Sequence, residues 1–180
     1  MAHKYYLDRA APEESIAHGA CRPGYAPGTA TDDPVGPWVE SMREAGIERV
    51  CCLLHAPQLA RYLDLIGEYE QAFGPDRVHH APIKDYHLAD PETIDGIVSF
   101  LREADRAGEP TVVHCAAGLG RTGQVLAAWL VRGRGYEPDE AIETVESMGR
   151  SPREAIRCDN ATERDLRNLL AGRTEIASDD

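Results

Sequence analysis

The sequence has no stretch that would anchor it in a membrane or direct it to secretion. No run of roughly 18 or more apolar residues occurs, so a transmembrane helix is not expected. The first residues also lack the basic region and apolar stretch that are typical of a secretory signal. Both absences predict a cytoplasmic protein.

Lysine is scarce, since only Lys4 and Lys84 are lysines among the 19 basic residues. Acidic residues number 31, and the formal net charge is −12. Because a surface of this sign repels nucleic acid and anionic membranes, neither is an expected partner. The shortage of lysine on an acidic chain predicts a salt-rich cytoplasm, as in halophiles, and a GC-rich genome is the alternative explanation.

Paired cysteine motifs are absent as well. The five cysteines are an odd number and contain no repeated Cys-x2-Cys spacing. This pattern argues against a disulfide framework and against a zinc site. Apart from Cys115, the cysteines are expected to be small buried side chains of the core.

Strand and helix patterns alternate along the chain. Apolar runs predict strands at 48–54, 77–83 and 111–114, and helical spacing predicts helices at 37–45, 57–73, 91–107, 124–131, 138–148 and 161–170. This alternation predicts a single α/β domain with a central, mainly parallel sheet flanked by helices. We place that domain at residues 37–172, after an irregular N-terminal segment (1–36) and before a frayed tail (173–180).

One segment of this alternation joins a strand to a helix through a glycine-rich loop. The β-branched run 111–113 precedes the loop, and the apolar helix pattern 124–131 follows it. Gly118, Gly120 and Gly123 allow loop conformations and a close ligand approach that a Cβ would block. Backbone N–H groups that converge in such a loop, next to a helix N-terminus, predict an anion site.

The side chains of this loop indicate which anion it binds. Cys115 lies at the start of the loop, where several N–H donors favour the thiolate over the thiol. Arg121 offers a planar fork that matches two phosphate oxygens. Thr122 is placed to donate its hydroxyl to the sulfur, and His114 to hydrogen-bond the cysteine backbone. No Gly-Lys-Ser/Thr follows the glycines, so the loop does not match an ATP-binding loop.

The segment His114-Cys115-Ala116-Ala117-Gly118-Leu119-Gly120-Arg121-Thr122-Gly123 resembles the H-C-x5-R-[ST]-G signature of the cysteine-dependent protein tyrosine and dual-specificity phosphatases. The resemblance implies a nucleophilic Cys115 and a signature loop (residues 115–121) that holds the phosphate. Its phosphate-binding residues would be Ala116, Ala117, Gly118, Leu119, Gly120 and Arg121. His114 and Thr122 would support them.

The proton donor of such a reaction is expected in the segment 79–85. Its Pro-Ile-Lys-Asp end is similar to the Pro-Ile-x-Asp of dual-specificity phosphatases, and above all of the cyclin-dependent-kinase-associated phosphatase group. The resemblance implies that Asp85 is the general acid. Because the stretch that follows is longer than is usual in the family, Asp90 is the alternative, although capping the next helix is its expected role.

Two features that occur in other members of the family are missing from this sequence. No Trp-Pro-Asp loop is present, which disfavours the tyrosine-only phosphatases. The glutamine that positions water in some relatives is not evident either, and Asn160 or Glu163 are the candidates for its place.

The resemblance implies hydrolysis of a phosphomonoester without a metal ion or another cofactor. The uncharged loop positions Ala116, Ala117 and Leu119 favour a phosphorylated protein or a small phosphate ester over a polyphosphoinositide. The alternatives are a phosphate-binding module without turnover, and sulfur or arsenate chemistry on a similar loop. A reversible disulfide between Cys115 and either Cys51 or Cys52 stays open as a regulatory alternative.

Overall fold

The computed structural model of the protein describes residues 3–173. This part of the chain contains five strands: β1 (Asp8–Arg9), β2 (Ala17–Ala20), β3 (Arg49–Cys52), β4 (Val78–His80) and β5 (Thr111–His114). They form one sheet in the order β1-β2-β5-β3-β4. Only β1 pairs with its neighbour in the antiparallel direction. The predicted α/β fold with a mainly parallel sheet is therefore confirmed.

Helices cover both faces of the sheet. Within residues 3–173 they are α1 (Val35–Glu44), α2 (Ala56–Leu59), α3 (Leu65–Phe73), α4 (Pro91–Ala107), α5 (Gly120–Arg134), α6 (Pro138–Ser147), α7 (Glu154–Arg157) and α8 (Glu163–Ala171). None of them has both the length and the apolar character needed to cross a membrane.

The single helix predicted at 57–73 is in fact two helices, α2 and α3. They are separated by a turn that ends at Asp64, whose carboxylate accepts a hydrogen bond from the backbone N–H of Gly67 at 3.1 Å. An aspartate in this position satisfies one of the free N–H groups of a helix start. The new helix therefore begins at Leu65, although the apolar spacing alone continues through the turn.

The N-terminal segment, predicted to be irregular, contributes strands β1 and β2 to the sheet. The sequence of β2, Ala-His-Gly-Ala, has little intrinsic preference for a strand. It is extended because it pairs residue by residue with β5, from Ala17 opposite Thr111 to Ala20 opposite His114. Such a long-range pairing leaves no local pattern in the sequence.

The other end of the chain is only partly described. Of the predicted tail, residues 174–180 lie outside the described residues. The boundaries of a domain at 37–172 stay a prediction.

The central strand β5 determines where a ligand can bind. Val113 packs on one face with α4, α5, α6 and α8, whereas Val112 packs on the other face with α1 and α3. A parallel sheet that is covered on both faces binds ligands at the carboxyl ends of its strands. At this end of β5 the chain enters the signature loop and then α5.

Candidate active site

The backbone of the signature loop turns its carbonyl groups away from the centre of the loop. Four of these oxygens accept hydrogen bonds from groups around the loop: Cys115 O from His114 Nδ1 at 3.0 Å, Ala116 O from Arg22 N at 2.9 Å, Gly118 O from Arg150 Nη1 at 2.8 Å, and Leu119 O from Gly123 N at 2.9 Å and Ser151 N at 3.1 Å. A trans peptide points its N–H opposite to its C=O. The next N–H groups, those of residues 116, 117, 119 and 120, therefore point into the loop.

These inward N–H groups form a cradle for an anion. Among the described residues, none of the four donates a hydrogen bond to another group. The helix α5 begins at Gly120 and adds its partial positive charge to the same place. Gly118 makes the shape possible, because its φ is +79° and a Cβ there would lie 2.6 Å from the carbonyl oxygen of Ala20.

Cys115 lies at the floor of this cradle and is 3% exposed. The hydroxyl of Thr122 donates a hydrogen bond to its Sγ at 3.2 Å. The contact predicted between Thr122 and Cys115 is therefore present.

His114 supports the loop as a neutral side chain. Burial lowers the pKa of His114 to about 4. Since a carbonyl can only accept, its Nδ1–H donates to the Cys115 carbonyl, and its Nε2 accepts from the Tyr69 hydroxyl at 2.9 Å. The ring of Trp38 packs edge-on against the imidazole with 5.2 Å between the ring centres. These contacts hold His114, and with it the first carbonyl of the loop, in one orientation.

Arg121 is almost fully buried beside the cradle. Its Nη2 forms an ion pair with Asp85 Oδ1 at 3.2 Å, and its Nη1 donates to Gln58 Oε1 at 2.7 Å and to the Ile83 carbonyl at 3.2 Å. The guanidinium is thus held in place by three neighbours that belong to other parts of the chain. A phosphate in the cradle would compete with the two side chains for this charge.

The predicted nucleophile, arginine and acid come together in one pocket. Cys115, Arg121 and Asp85 all line a pocket of about 210 Å³, which we call the Cys115 pocket. Its other walls are the loop residues Ala116, Ala117 and Gly120, together with Arg22, Tyr25, Gln58, Arg61, Tyr86 and Glu154. Asp90 does not line this pocket.

The position of Asp85 follows from the edge of the sheet. After β4 the chain continues alongside the end of β3, with the Ala81 N–H bonded to the Cys52 carbonyl at 3.0 Å and the Ile83 N–H bonded to the Leu53 carbonyl at 3.1 Å. This run carries Asp85 to the carboxyl end of the strands, where Cys115 lies.

The stretch that follows Asp85 is fastened to α5. Gln124 donates to the His87 carbonyl at 3.0 Å and accepts from the Ala89 N–H at 2.8 Å. Asp90 then occupies the N-cap position of α4, as predicted, but its exposed side chain makes no capping hydrogen bond. The predicted N-cap position of Asp90 is therefore present, but the predicted side-chain hydrogen bond of a cap is not.

Gln58 and Glu154 are two of the pocket residues that were not predicted from the sequence. Gln58 bridges the arginine and the acid, since its Nε2 donates to Asp85 Oδ2 at 3.2 Å while its Oε1 accepts from Arg121. Glu154 packs over Gly120, where a Cβ would collide with its carboxylate. Burial and then the charge of Asp85 raise the pKa of Glu154, against the opposing effect of Arg121.

The two candidates for a water-positioning residue, Asn160 and Glu163, lie outside the Cys115 pocket. Asn160 donates to the Tyr86 carbonyl at 3.0 Å, and Glu163 pairs with Arg153 at 2.8 Å. Neither side chain lines the Cys115 pocket, whereas Glu154 does. No local pattern marked Glu154, which lies in the four-residue helix α7.

Arg150 is a third residue that the sequence did not indicate. It is buried, and its guanidinium donates to the carbonyls of Gly118 at 2.8 Å, Gly19 at 2.7 Å and Tyr6 at 2.9 Å. One side chain therefore joins the signature loop, the strand β2 and the N-terminal segment.

The strand cysteines are neutral thiols in this fold. Cys51 and Cys52 are free and buried. Burial raises the pKa of Cys52 to about 12, and burial also raises the pKa of Cys51. Protonated thiols are poor nucleophiles. A disulfide between either of them and Cys115 stays the regulatory alternative to the predicted role of Cys51 and Cys52 as core side chains.

Residues 26–135 match the protein family described as "Polymorphic toxin system, DSP-PTPase phosphatase". The chain belongs to this family of dual-specificity and protein tyrosine phosphatases. The resemblance that the signature loop carries is thereby confirmed.

Curated relatives of this phosphatase family align with part of their length. The "Phosphoglucan phosphatase DSP4, amyloplastic" of Castanea sativa is 31% identical over 140 residues, which are 75% of this chain and 37% of that protein. The "Dual specificity protein phosphatase OPG106" of Vaccinia virus is 38% identical over 53 residues, which are 29% of this chain and 31% of that protein. The chain thus spans only about a third of the length of these relatives.

Solved structures of phosphatases share the fold over most of the chain. Tk-PTP in its active form has a TM-score of 0.67 at 24% identity, covering 89% of this chain and 95% of that one. The kinase associated phosphatase has a TM-score of 0.65 at 23% identity, covering 85% of this chain and 83% of that one. The likeness to the kinase-associated phosphatase group is therefore confirmed at the level of the fold.

Proposed function

We propose that the protein hydrolyses phosphomonoesters as a protein tyrosine or dual-specificity phosphatase, through a cysteinyl-phosphate. The observation that carries this proposal is the meeting of Cys115, Arg121 and Asp85 in one pocket beneath inward-facing N–H groups. None of these three residues is replaced, which argues against a module that only binds phosphate. Membership of the phosphatase family argues against sulfur or arsenate chemistry.

In the first step, the Cys115 thiolate attacks phosphorus in line and the bond from phosphorus to the leaving oxygen breaks. The loop N–H groups and Arg121 stabilise the charge on the three equatorial oxygens. Asp85 gives its proton to the leaving oxygen. When the phosphate takes over the guanidinium, Asp85 gives up its ion pair with Arg121, so the carboxyl group that faces the leaving oxygen is no longer tied to a cation.

In the second step, the Asp85 carboxylate accepts a proton from water, and the water oxygen attacks phosphorus. The bond from phosphorus to sulfur breaks, inorganic phosphate leaves, and the Cys115 thiolate returns. The hydrogen bond from Gln58 to Asp85 Oδ2 orients the carboxyl group for both steps. The rate is expected to be bell-shaped in pH, limited by the thiolate on the acid side and by the protonated acid on the alkaline side.

The proposed substrates are a phosphorylated protein or a small phosphomonoester. Arg22 and Arg61 at the Cys115 pocket attract a phosphate dianion, while the variable loop positions carry no charge. Phosphate esters of other molecules are the second class, because one relative is named as a phosphoglucan phosphatase and one fold neighbour was solved with PI(5)P.

Replacing Asp85 with asparagine is expected to lower kcat roughly 10²-fold or more, because the leaving oxygen then departs without a proton. The measurement is turnover of two aryl phosphates, p-nitrophenyl phosphate and phenyl phosphate. The loss should be larger for phenyl phosphate, whose leaving oxygen is more basic. The alkaline limb of the pH profile should also disappear.

The matched control is Asp90→Asn, which changes the alternative acid five positions further along the chain. This variant should retain the activity and the pH profile of the parent protein. Normal activity in Asp85→Asn together with loss in Asp90→Asn would transfer the acid role to Asp90.

We further propose that the protein works in a reducing, salt-rich cytoplasm. Its cysteines are free thiols, and its net charge of −12 is combined with a near absence of lysine. Raising KCl from about 0.1 M to about 2 M is therefore expected to raise the melting temperature continuously. Simple screening of self-repulsion is nearly complete by roughly 0.3 M. A melting temperature that levels off there, or falls, would favour the GC-rich genome as the explanation.

A further inference from the structure

A larger cavity lies directly beside the Cys115 pocket. It has a volume of about 630 Å³ and shares two of its walls, Tyr25 and Ala117, with the Cys115 pocket. We call it the tyrosine cavity. Its apolar surface comes from Tyr6, Leu7 and Met148 together with the shared Tyr25 and the loop residue Leu119. Most of these residues lie outside the stretch that matches the phosphatase family, residues 26–135.

Exposed apolar side chains are concentrated around these two openings. Among the described residues, the large apolar side chains left exposed are Tyr6, Tyr25, Leu63, Tyr86 and Leu119. All except Leu63 line the Cys115 pocket or the tyrosine cavity. Apolar surface that is kept in contact with water at one place is typical of a ligand-binding groove.

One residue of the wall of the tyrosine cavity, Tyr6, has a strained backbone conformation. Tyr6 has a φ of 56°, in the left-handed region that bulky residues seldom adopt. Arg150, which also lines the cavity, donates to the Tyr6 carbonyl and to the Gly118 carbonyl. The same guanidinium therefore fixes the cavity wall and the phosphate cradle relative to each other. Backbone strain of this kind persists where the surrounding structure over-determines it, often at binding sites.

We propose that the tyrosine cavity binds a large apolar side chain next to the phosphorylated residue of a peptide substrate. This inference rests on the proposed function and names the substrate class of the same site. The Cys115 pocket, at about 210 Å³, has room for the phosphorylated side chain alone, so the neighbouring residues of a peptide substrate must lie across its rim. Ala117 belongs to both openings, and a neighbouring side chain of an extended peptide lies only about 3.5–7 Å further along.

Charge favours a peptide over a membrane lipid, and an apolar neighbour over an acidic one. The net charge of −12 opposes approach to an anionic membrane surface. The carboxylate of Asp8 lies on the wall of the tyrosine cavity and disfavours a negative side chain there, because the guanidinium of Arg150 on the same wall is buried and already bonded to three carbonyls. A peptide side chain that is apolar and of the size of leucine or phenylalanine is subject to neither of these repulsions.

The test compares phosphopeptides that differ in one residue. In an alanine-based phosphotyrosine peptide, leucine is placed in turn at each of the two positions before and after the phosphorylated residue. At one of these positions leucine is expected to raise kcat/KM about tenfold over alanine, the gain typical of burying an aliphatic side chain. Aspartate at that position should lower kcat/KM below the alanine value.

Two variants locate the effect in the tyrosine cavity. In Tyr6→Ala and Met148→Ala the preference for leucine should fall below about threefold, because the apolar wall is lost. Turnover of p-nitrophenyl phosphate, which reaches only the Cys115 pocket, should not change in Met148→Ala. Leu63→Ala is the matched control, since it removes an exposed apolar side chain away from both openings and should leave the preference intact.

Failure of this inference is distinguishable from failure of the proposed function. Absence of p-nitrophenyl phosphate turnover in the parent protein would overturn the proposed function. Normal turnover with no preference at any position, or with an unchanged preference in both cavity variants, would overturn the role of the tyrosine cavity alone. A gain that depends on Tyr6 for an acyl-bearing phosphoinositide, but for no peptide, would assign the cavity to lipid instead.

Discussion

Cys115→Ser is expected to abolish turnover of p-nitrophenyl phosphate, with a loss of at least roughly 10⁴-fold in kcat. A serine hydroxyl is a far weaker acid and a poorer nucleophile than a cysteine thiol, so the variant lacks the group that attacks phosphorus. The loop itself remains, because its carbonyls are held by groups that the substitution does not touch. Binding of inorganic phosphate, measured by calorimetry, should therefore persist while turnover is lost.

A second measurement follows the sulfur directly. Rapid acid quench of the parent protein with substrate should yield a peptide containing Cys115 whose mass is increased by one phosphoryl group. Cys158→Ser is the matched control, because Cys158 is an exposed free cysteine and should be dispensable. Residual turnover in Cys115→Ser, or a phosphoryl group on another cysteine, would contradict the assignment of the nucleophile.

Arg121→Lys is expected to lower kcat/KM for the same substrate roughly 10²–10³-fold, although the charge is conserved. An ammonium group cannot replace the planar fork, which contacts Asp85, Gln58 and the Ile83 carbonyl simultaneously. The equatorial oxygens of the transition state would lose one bidentate partner, so kcat should fall as well as the affinity for substrate.

Arg61→Lys provides the control for charge alone. Arg61 is exposed and lines the same Cys115 pocket, but the described residues show no hydrogen bond from its side chain. Exchange of one exposed cation for another should change kcat/KM less than about threefold. Equal losses in the two variants would mean that Arg121 acts only through its general positive charge.

The local part of the candidate site was predictable from the sequence. The β-branched run, the glycine loop and the apolar helix indicated the order of strand, loop and helix, and that order places Cys115 and Arg121 around one cradle. Asp85 was predictable because the end of its strand resembles a known phosphatase segment. All three residues line the pocket where the resemblance implied them.

The long-range part was not predictable, for a physical reason. Gln58 lies 27 residues from Asp85 and 63 residues from Arg121, so its bridging role depends on how distant segments pack. The strand β2 has a composition that does not favour strands and is extended only by its pairing with β5. The break between α2 and α3, by contrast, has a local cause in the sequence, because Asp64 caps the Gly67 N–H three residues further on.

The contacts of Arg150 also have a consequence for synthesis. This residue lies 32 positions after Gly118 and 131 positions after Gly19, and it bonds the carbonyls of both. A nascent chain emerges from the ribosome with its N-terminal end first. A partly translated chain that already exposes Cys115 therefore still lacks the guanidinium that braces the cradle. The site around the reactive sulfur is therefore complete only after Arg150 has been translated, and translation products shortened before that residue would carry the thiol without its fully assembled oxyanion site.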